Sequence, residues 1–71
     1  MKSGDTVRLI GIPSDLHEDA VTVFEKCLGR TFVIDHFNDA GWAGLVVDSV
    51  TGSRYETIWV APAYLEPVSW N

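Results

Sequence analysis

The sequence predicts a mainly β protein, a small closed barrel of five short strands with one helix inserted between strands 1 and 2. Three observations favour this fold class. The side chains alternate in polarity from residue 30 onward, turn-forming clusters divide the alternating stretch into short runs, and Pro62 interrupts the last run. A chain of 71 residues is a single domain, residues 1–71, and too short for a β-sandwich. Closing the strands into a barrel removes exposed sheet edges.

The first half of the chain is predicted to hold a strand and a helix. The strand covers residues 5–12, where Val7 and Leu9 alternate with other residues. The helix covers residues 16–28, with N-cap oxygens from Ser14-Asp15 and a C-terminal glycine at Gly29. Its apolar residues recur at spacings of four and three, so they share one face. These residues are Leu16, Ala20, Phe24, Cys27 and Leu28.

Four more strands are predicted after the helix. In the second strand, which starts at residue 30, period-two alternation puts Phe32, Ile34 and His36 on one side. It puts Val33, Asp35 and Phe37 on the other side. The third and fourth strands cover residues 42–50 and 54–60, and Gly44 predicts a bulge or a close backbone approach. A single tight turn at residues 63–65 follows Pro62 and leads into an edge strand at residues 65–68.

Short motifs at both ends resemble known families. The opening Gly4-Asp5-x-Val7-Arg8-Leu9 is similar to the first strand of SH3-like barrels. These include KOW-type modules, the small stromal subunit of photosystem I and the β subunit of nitrile hydratase. The closing Pro62-x-Tyr64-Leu65 turn is similar to that of signalling SH3 domains. With F-x-x-C-L-G-R-x-F over residues 24–32, the whole chain also resembles a family of short uncharacterised bacterial proteins.

The resemblance to signalling SH3 domains implies a groove for a polyproline II peptide. Its residues in this chain are Trp42, Pro62 and Tyr64, with the acids Asp15 and Glu18. Aromatic ridges suit such a peptide because its rings stack on them at little entropic cost, and the acids pair with an arginine of the peptide. The alternative is that Trp42, Trp59 and Tyr64 pack the barrel and its helix.

Other candidate sites have weaker patterns. Cys27 is either a nucleophile or a buried, inert thiol, and the dipole at a helix C-terminus disfavours the thiolate. His17 and His36 lack the close ligand spacing of a metal site. Asp35 and Asp48 are predicted to face each other across strands as a solvated pair. We therefore expect no catalytic residue, no metal and no cofactor.

Composition limits the partners. The net charge of −5 and the pI of about 4.6 oppose nucleic acid and favour basic partners. The single cysteine, the lack of a signal peptide and the lack of an 18-residue apolar run predict a cytoplasmic protein without membrane contact.

Two function classes follow. The first is a non-enzymatic interaction module that binds a protein partner or associates with itself, because three tryptophans exceed the needs of so small a core. Trp70, next to the end of the sequence, is predicted to be available for contact. The second, by analogy with nitrile hydratase, is an accessory domain or oligomeric subunit of an enzyme. Nucleic-acid binding of the KOW type is a third class, which the charge disfavours.

Overall fold

The strands of the protein form one antiparallel sheet. A computed structural model describes residues 1–52 and 56–68. Along this part of the chain the elements are β1 (Thr6–Leu9), α1 (Glu18–Cys27), β2 (Thr31–Phe37), β3 (Ala43–Val46), α2 (Asp48–Thr51), β4 (Thr57–Val60), a 3₁₀ turn (Pro62–Tyr64) and β5 (Leu65–Pro67). The strand order is β4-β3-β2-β1-β5. The predicted mainly β class, the five strands and the helix between β1 and β2 are confirmed.

Strand β2 joins two sections of the sheet. Its first half pairs with β1, with Val7 opposite Phe32, and β1 pairs in turn with β5. Its second half pairs with β3, with Phe37 opposite Ala43, and β3 pairs in turn with β4. Between Ile34 and His36 the register shifts by one residue, which is a β-bulge. A bulge bends its strand and increases the local twist, so β2 turns one section relative to the other.

The sheet does not close, so the predicted closed barrel is wrong. Strands β4 and β5 are the two edges of the sheet and do not pair with each other. After β4, the 3₁₀ turn directs the chain to the far side of β1, where Leu65 lies opposite Leu9. The edge strands have only four and three residues. Edges this short offer few unpaired backbone groups, which limits the need for closure.

Helix α1 begins two residues later than predicted. Its N-cap is His17 and not Ser14-Asp15: the His17 Nδ1 accepts a hydrogen bond of 3.3 Å from the Asp19 amide. The helix ends where expected, since Gly29 has φ +81°, which favours glycine. Phe24 and Cys27 are buried as predicted. Leu28, predicted on the same face, is instead 46% exposed, because it lies past the last helical residue.

The predicted third strand, residues 42–50, is divided in the structure. Strand β3 ends at Val46, and α2 turns the chain for one helical turn. The Val50 amide donates to the Val47 carbonyl over 2.9 Å. In a helical turn, residues three apart such as Val47 and Val50 lie on the same side, and both pack against the core. An extended strand would point them to opposite faces. Of the predicted fourth strand, residues 54–60, the structure forms β4 at Thr57–Val60; Glu56 precedes this strand, and Arg54 and Tyr55 lie outside the described residues.

The core between the sheet and α1 is entirely apolar in the described residues. It contains eleven buried side chains, none of them tryptophan or tyrosine. They are Val7, Leu9, Phe24, Cys27, Phe32, Ile34, Ala43, Leu45, Val47, Val60 and Leu65. Burial of such side chains stabilises the fold by roughly 1.5–3 kcal/mol for each large aliphatic or phenyl group.

The open edge predicts a pattern of amide exchange along β4. The Val47 amide donates to the Glu56 carbonyl. Hydrogen-bonded pairs alternate along an antiparallel ladder, so the amides of Ile58 and Val60 bond to β3. The Trp59 amide between them points to the open edge. We expect Trp59 to exchange at least ~100-fold faster than Ile58 and Val60. Hydrogen exchange followed by NMR measures this ratio. A Trp59 amide as protected as its two neighbours would indicate a closed sheet.

Candidate functional site

Three side-chain positions form a row across the outer face of β2, β3 and β4. Gly44 lies opposite His36 on one side and opposite Trp59 on the other. A Cβ atom at Gly44 would lie 2.8 Å from Cζ3 of Trp59, so the indole rests directly on this glycine. The indole reaches across β3 to the His36 ring, edge to face, with the ring centroids 5.0 Å apart and the planes at 83°. The close backbone approach predicted at Gly44 is therefore made by Trp59.

The bulge in β2 sets which side chains reach this row. Two steps along β2, from Ile34 to His36, match a single step along β3. Asp35 is the additional residue, and it allows Ile34 and Phe37 to pack on the core although they are an odd number of residues apart. In a regular strand, neighbours point to opposite faces, yet Nδ1 of His36 lies 2.5 Å from the Asp35 carboxylate and donates to it. Because the bulge reverses the alternation, His36 lies on the outer face, and its predicted grouping with Phe32 and Ile34 is wrong.

Trp42 lies beside the row and is held by Asn38. The Asn38 Oδ1 accepts hydrogen bonds from the amides of Ala40 and Trp42, each 3.0 Å long. Continuing the β3–β4 register by one position sets Trp42 opposite Ala61, and Pro62 follows immediately. Trp42 is 45% exposed and Trp59 is 37% exposed. We call His36, Trp42, Trp59 and Pro62 the aromatic surface.

The predicted peptide groove is only partly assembled at this surface. Trp42 and Pro62 lie at the same end of the β3–β4 pair, and both are exposed. Tyr64 is half-buried and packs against the core, and its ring lies against Gly11. Asp15 is exposed in the segment between β1 and α1, and Glu18 is exposed as the first residue of α1. The alternative of core packing therefore describes Tyr64, whereas the two described tryptophans stay outside the core.

Sequence reasoning did not place Trp59 or His36 in the site. Alternation does not show which face of a strand is solvated, so Trp59 is predicted only as a residue that packs the barrel and its helix. The available signal was Gly44 in a strand, because aromatic side chains often cover a glycine on the neighbouring strand. His36 is predicted as a strand residue on the same side as Phe32 and Ile34, and its ligand spacing disfavours a metal site. Trp70, predicted to be available for contact, lies outside the described residues.

Cys27 has the environment of an unreactive thiol. Its side chain is fully buried. Burial raises the pKa of the Cys27 thiol above its ordinary value; the nearby Arg30 lowers this pKa and Glu56 raises it, both by smaller amounts. Since the thiolate is the nucleophile, a raised pKa and a buried sulfur both oppose reactivity.

The remaining candidates involve acids and histidines. Asp35 and Asp48 both line a groove of about 570 Å³ beside Val33, so the structure does bring this predicted pair to one surface. His17 caps α1 and lies 3.7 Å from the Asp19 carboxylate. Within the described residues, no group of three or more His, Cys, Asp or Glu side chains is arranged to hold a metal ion.

The buried thiol predicts a pH dependence of stability. Below the ordinary thiol pKa, Cys27 is protonated in both states and adds no pH dependence. Above it, the unfolded chain releases this proton while the folded chain keeps it, so the free energy of unfolding falls by up to about 1.4 kcal/mol per pH unit. Urea unfolding from pH 7 to about pH 10 measures this in the protein and in Cys27→Ala. Curves that run parallel for both proteins would show that Cys27 does not cause the decline.

The packing of Trp59 on Gly44 predicts a coupling between the two positions. A Cβ atom at residue 44 also lies 3.2 Å from the His36 carbonyl oxygen, so Gly44→Ala displaces the indole. We expect a loss of about 1–3 kcal/mol in the free energy of unfolding. In a Trp59→Ala background the same change costs less, since the indole is gone. Equal costs in both backgrounds, measured by urea unfolding, would contradict this packing.

None of the helices in the described part of the chain has the length and apolar character that a bilayer crossing requires. Comparisons with protein-family models, with curated proteins and with solved structures found no match. The observations above thus establish a small antiparallel five-stranded sheet with a short helix between its first two strands.

Proposed function

We propose that this chain is a non-enzymatic interaction module that binds a protein partner through the aromatic surface. The observation that carries the proposal is the exposure of Trp42 and Trp59 at 45% and 37%, outside the eleven-residue core that the described part of the chain forms. Tryptophan is enriched among the residues that dominate binding energy at protein interfaces, because its large ring excludes water when a partner covers it.

The surface is held in place before any partner arrives. Trp59 rests on Gly44 and against His36, whose ring is in turn fixed by Asp35. Asn38 holds the backbone of Trp42. Side chains that are already ordered lose less conformational entropy on binding, so a larger part of the contact energy appears as affinity.

The chemistry of the surface favours a partner segment with proline and arginine. Proline rings stack on indoles, and an extended proline-rich segment is ordered in advance. The Asp35 carboxylate is exposed next to His36 and offers an acceptor for a guanidinium group. The net charge of −5 attracts a basic segment. Asp15 and Glu18 extend this acidic character along the segment that follows β1.

An SH3-like arrangement fits the same proposal. Its supports are the strand β2 shared by two sheet sections, the strand order, and the 3₁₀ turn at Pro62–Tyr64 between β4 and β5. The resemblance of Gly4-Asp5-x-Val7-Arg8-Leu9 and Pro62-x-Tyr64-Leu65 to that class adds to them. In this reading Trp42 and Pro62 form the peptide contact, and Trp59 enlarges it.

NMR of the ¹⁵N-labelled protein tests the proposal, since each indole Nε1–H gives a separate signal. A library of proline-rich peptides with one arginine is expected to contain ligands that shift the Trp42 and Trp59 signals in a saturable manner. Trp42→Ala weakens the best ligand by about tenfold or more, as expected for a central interface residue. Replacing the arginine of the peptide by glutamate also weakens its binding to the unmodified protein.

Leu28→Ala is the matched control, because Leu28 is 46% exposed, much as Trp42 is, and lies at the end of α1 and not on the sheet. This variant keeps the affinity of the unmodified protein. Light scattering of the protein and of Trp42→Ala shows whether the chain associates with itself and whether this variant weakens the association. A monomeric protein whose indole signals no peptide shifts would exclude the proposed surface.

A further inference from the structure

A concave surface lies between the start of β2 and helix α2, and it adjoins the groove of Asp35 and Asp48, with which it shares Thr31, Phe32 and Ser49. It is a groove of about 400 Å³, and its lining includes Arg8, Arg30, Thr31 and Ser49. Two guanidinium groups and two hydroxyl groups are hydrogen-bond donors, so the polar part of this lining suits an acceptor.

The position of the two arginines is notable for a chain with a net charge of −5. Lys2, Arg8, Lys26 and Arg30 are the basic residues in the described part of the chain. Two of these four line one groove, and Lys26 is linked to it through its backbone. A local concentration of cations on an acidic protein attracts a compact anion, whereas an extended polyanion meets the surrounding negative charge.

Arg30 is oriented with its terminal nitrogens unused. Its Nε donates to the Lys26 carbonyl over 3.2 Å, which anchors the inner end of the guanidinium. Among the described residues, its two terminal nitrogens have no hydrogen-bond partner. A planar guanidinium held at one side presents its remaining donors to an oxyanion in a fixed geometry.

Arg8 is held only weakly by its protein partner. Nη1 of Arg8 lies 3.6 Å from the Glu66 carboxylate, beyond hydrogen-bond distance, and both side chains are about half exposed. Such surface ion pairs contribute little, so an anion can replace Glu66. Arg8 lies directly opposite Thr31 in the β1–β2 register, which places the guanidinium stem and the threonine hydroxyl on the same face.

We propose that this groove binds the phosphate group of a small phosphate monoester, with Arg8 and Arg30 as its charged ligands and Thr31 and Ser49 as hydroxyl donors. The groove volume of about 400 Å³ exceeds that of one phosphate and leaves room for the organic part. The proposal does not depend on the aromatic surface, since the two share no residue.

Titration with inorganic phosphate and with ribose 5-phosphate, at constant ionic strength and followed by ¹⁵N NMR, tests the proposal. The amides of Gly29–Thr31 and Ser49 and the Nε–H signals of Arg8 and Arg30 are expected to shift and saturate, with a dissociation constant of roughly 1 mM or below for the monoester. Tighter binding of ribose 5-phosphate than of phosphate identifies a monoester site. Equal affinity, or shifts that do not saturate, would overturn it.

Two pairs of variants separate a local site from the general effect of charge. Arg30→Gln weakens binding about tenfold, whereas Lys2→Gln, with the same change in charge, alters it less than about threefold. Glu66→Gln strengthens binding several-fold because it removes a negative charge beside Arg8, while Asp39→Asn, again matched in charge, has a smaller effect. Equal effects within either pair would contradict the proposal. Circular dichroism verifies that each variant is folded.

Discussion

One additional residue in β2 determines much of this structure. The bulge at Asp35 lets the same strand pair with β1 in its first half and with β3 in its second half, and it bends the strand between them. It also reverses the alternation of side chains, so that Ile34 and Phe37 both reach the core while His36 faces outward. Without it, the two sheet sections could not enclose one apolar core and leave a histidine ring outside.

The two proposed surfaces lie at opposite ends of this strand. At its second half, the outward turn of His36 gives Trp59 a ring to pack against, and Gly44 gives it space to cross β3. At its first half, Thr31 lies beside Arg8 at the entrance of the arginine-lined groove. The apolar side chains of β2 meanwhile complete the core. Strand β2 thus contributes to the core and to both proposed surfaces.

The sequence predicts the elements better than their arrangement. Alternation, turn clusters and Pro62 predict most of the strands and the final turn, and apolar spacing with Gly29 predicts the helix, because these are local properties. The alternation along β2 gives no sign of a bulge; only Asp35 belongs to a residue type that is depleted in strands. Likewise Leu45, Val46 and Val47 read as a continuing strand, although burial of both Val47 and Val50 requires a helical turn. The open sheet depends on which edges meet, which is a property of the whole fold.

For the candidate aromatic surface, Trp42 and Pro62 were predicted, and Trp59 was missed because alternation does not show which face is solvated.

The pairing of β2 with β3 tests the central role of the bulge most directly. Backbone nuclear Overhauser effects between facing residues measure it in the unmodified protein. We expect cross-strand contacts that pair Ile34 with Leu45 and His36 with Gly44, together with contacts between the rings of His36 and Trp59. Contacts pairing Ile34 with Leu45 and His36 with Ala43 would show a regular strand without a bulge, and would contradict this account.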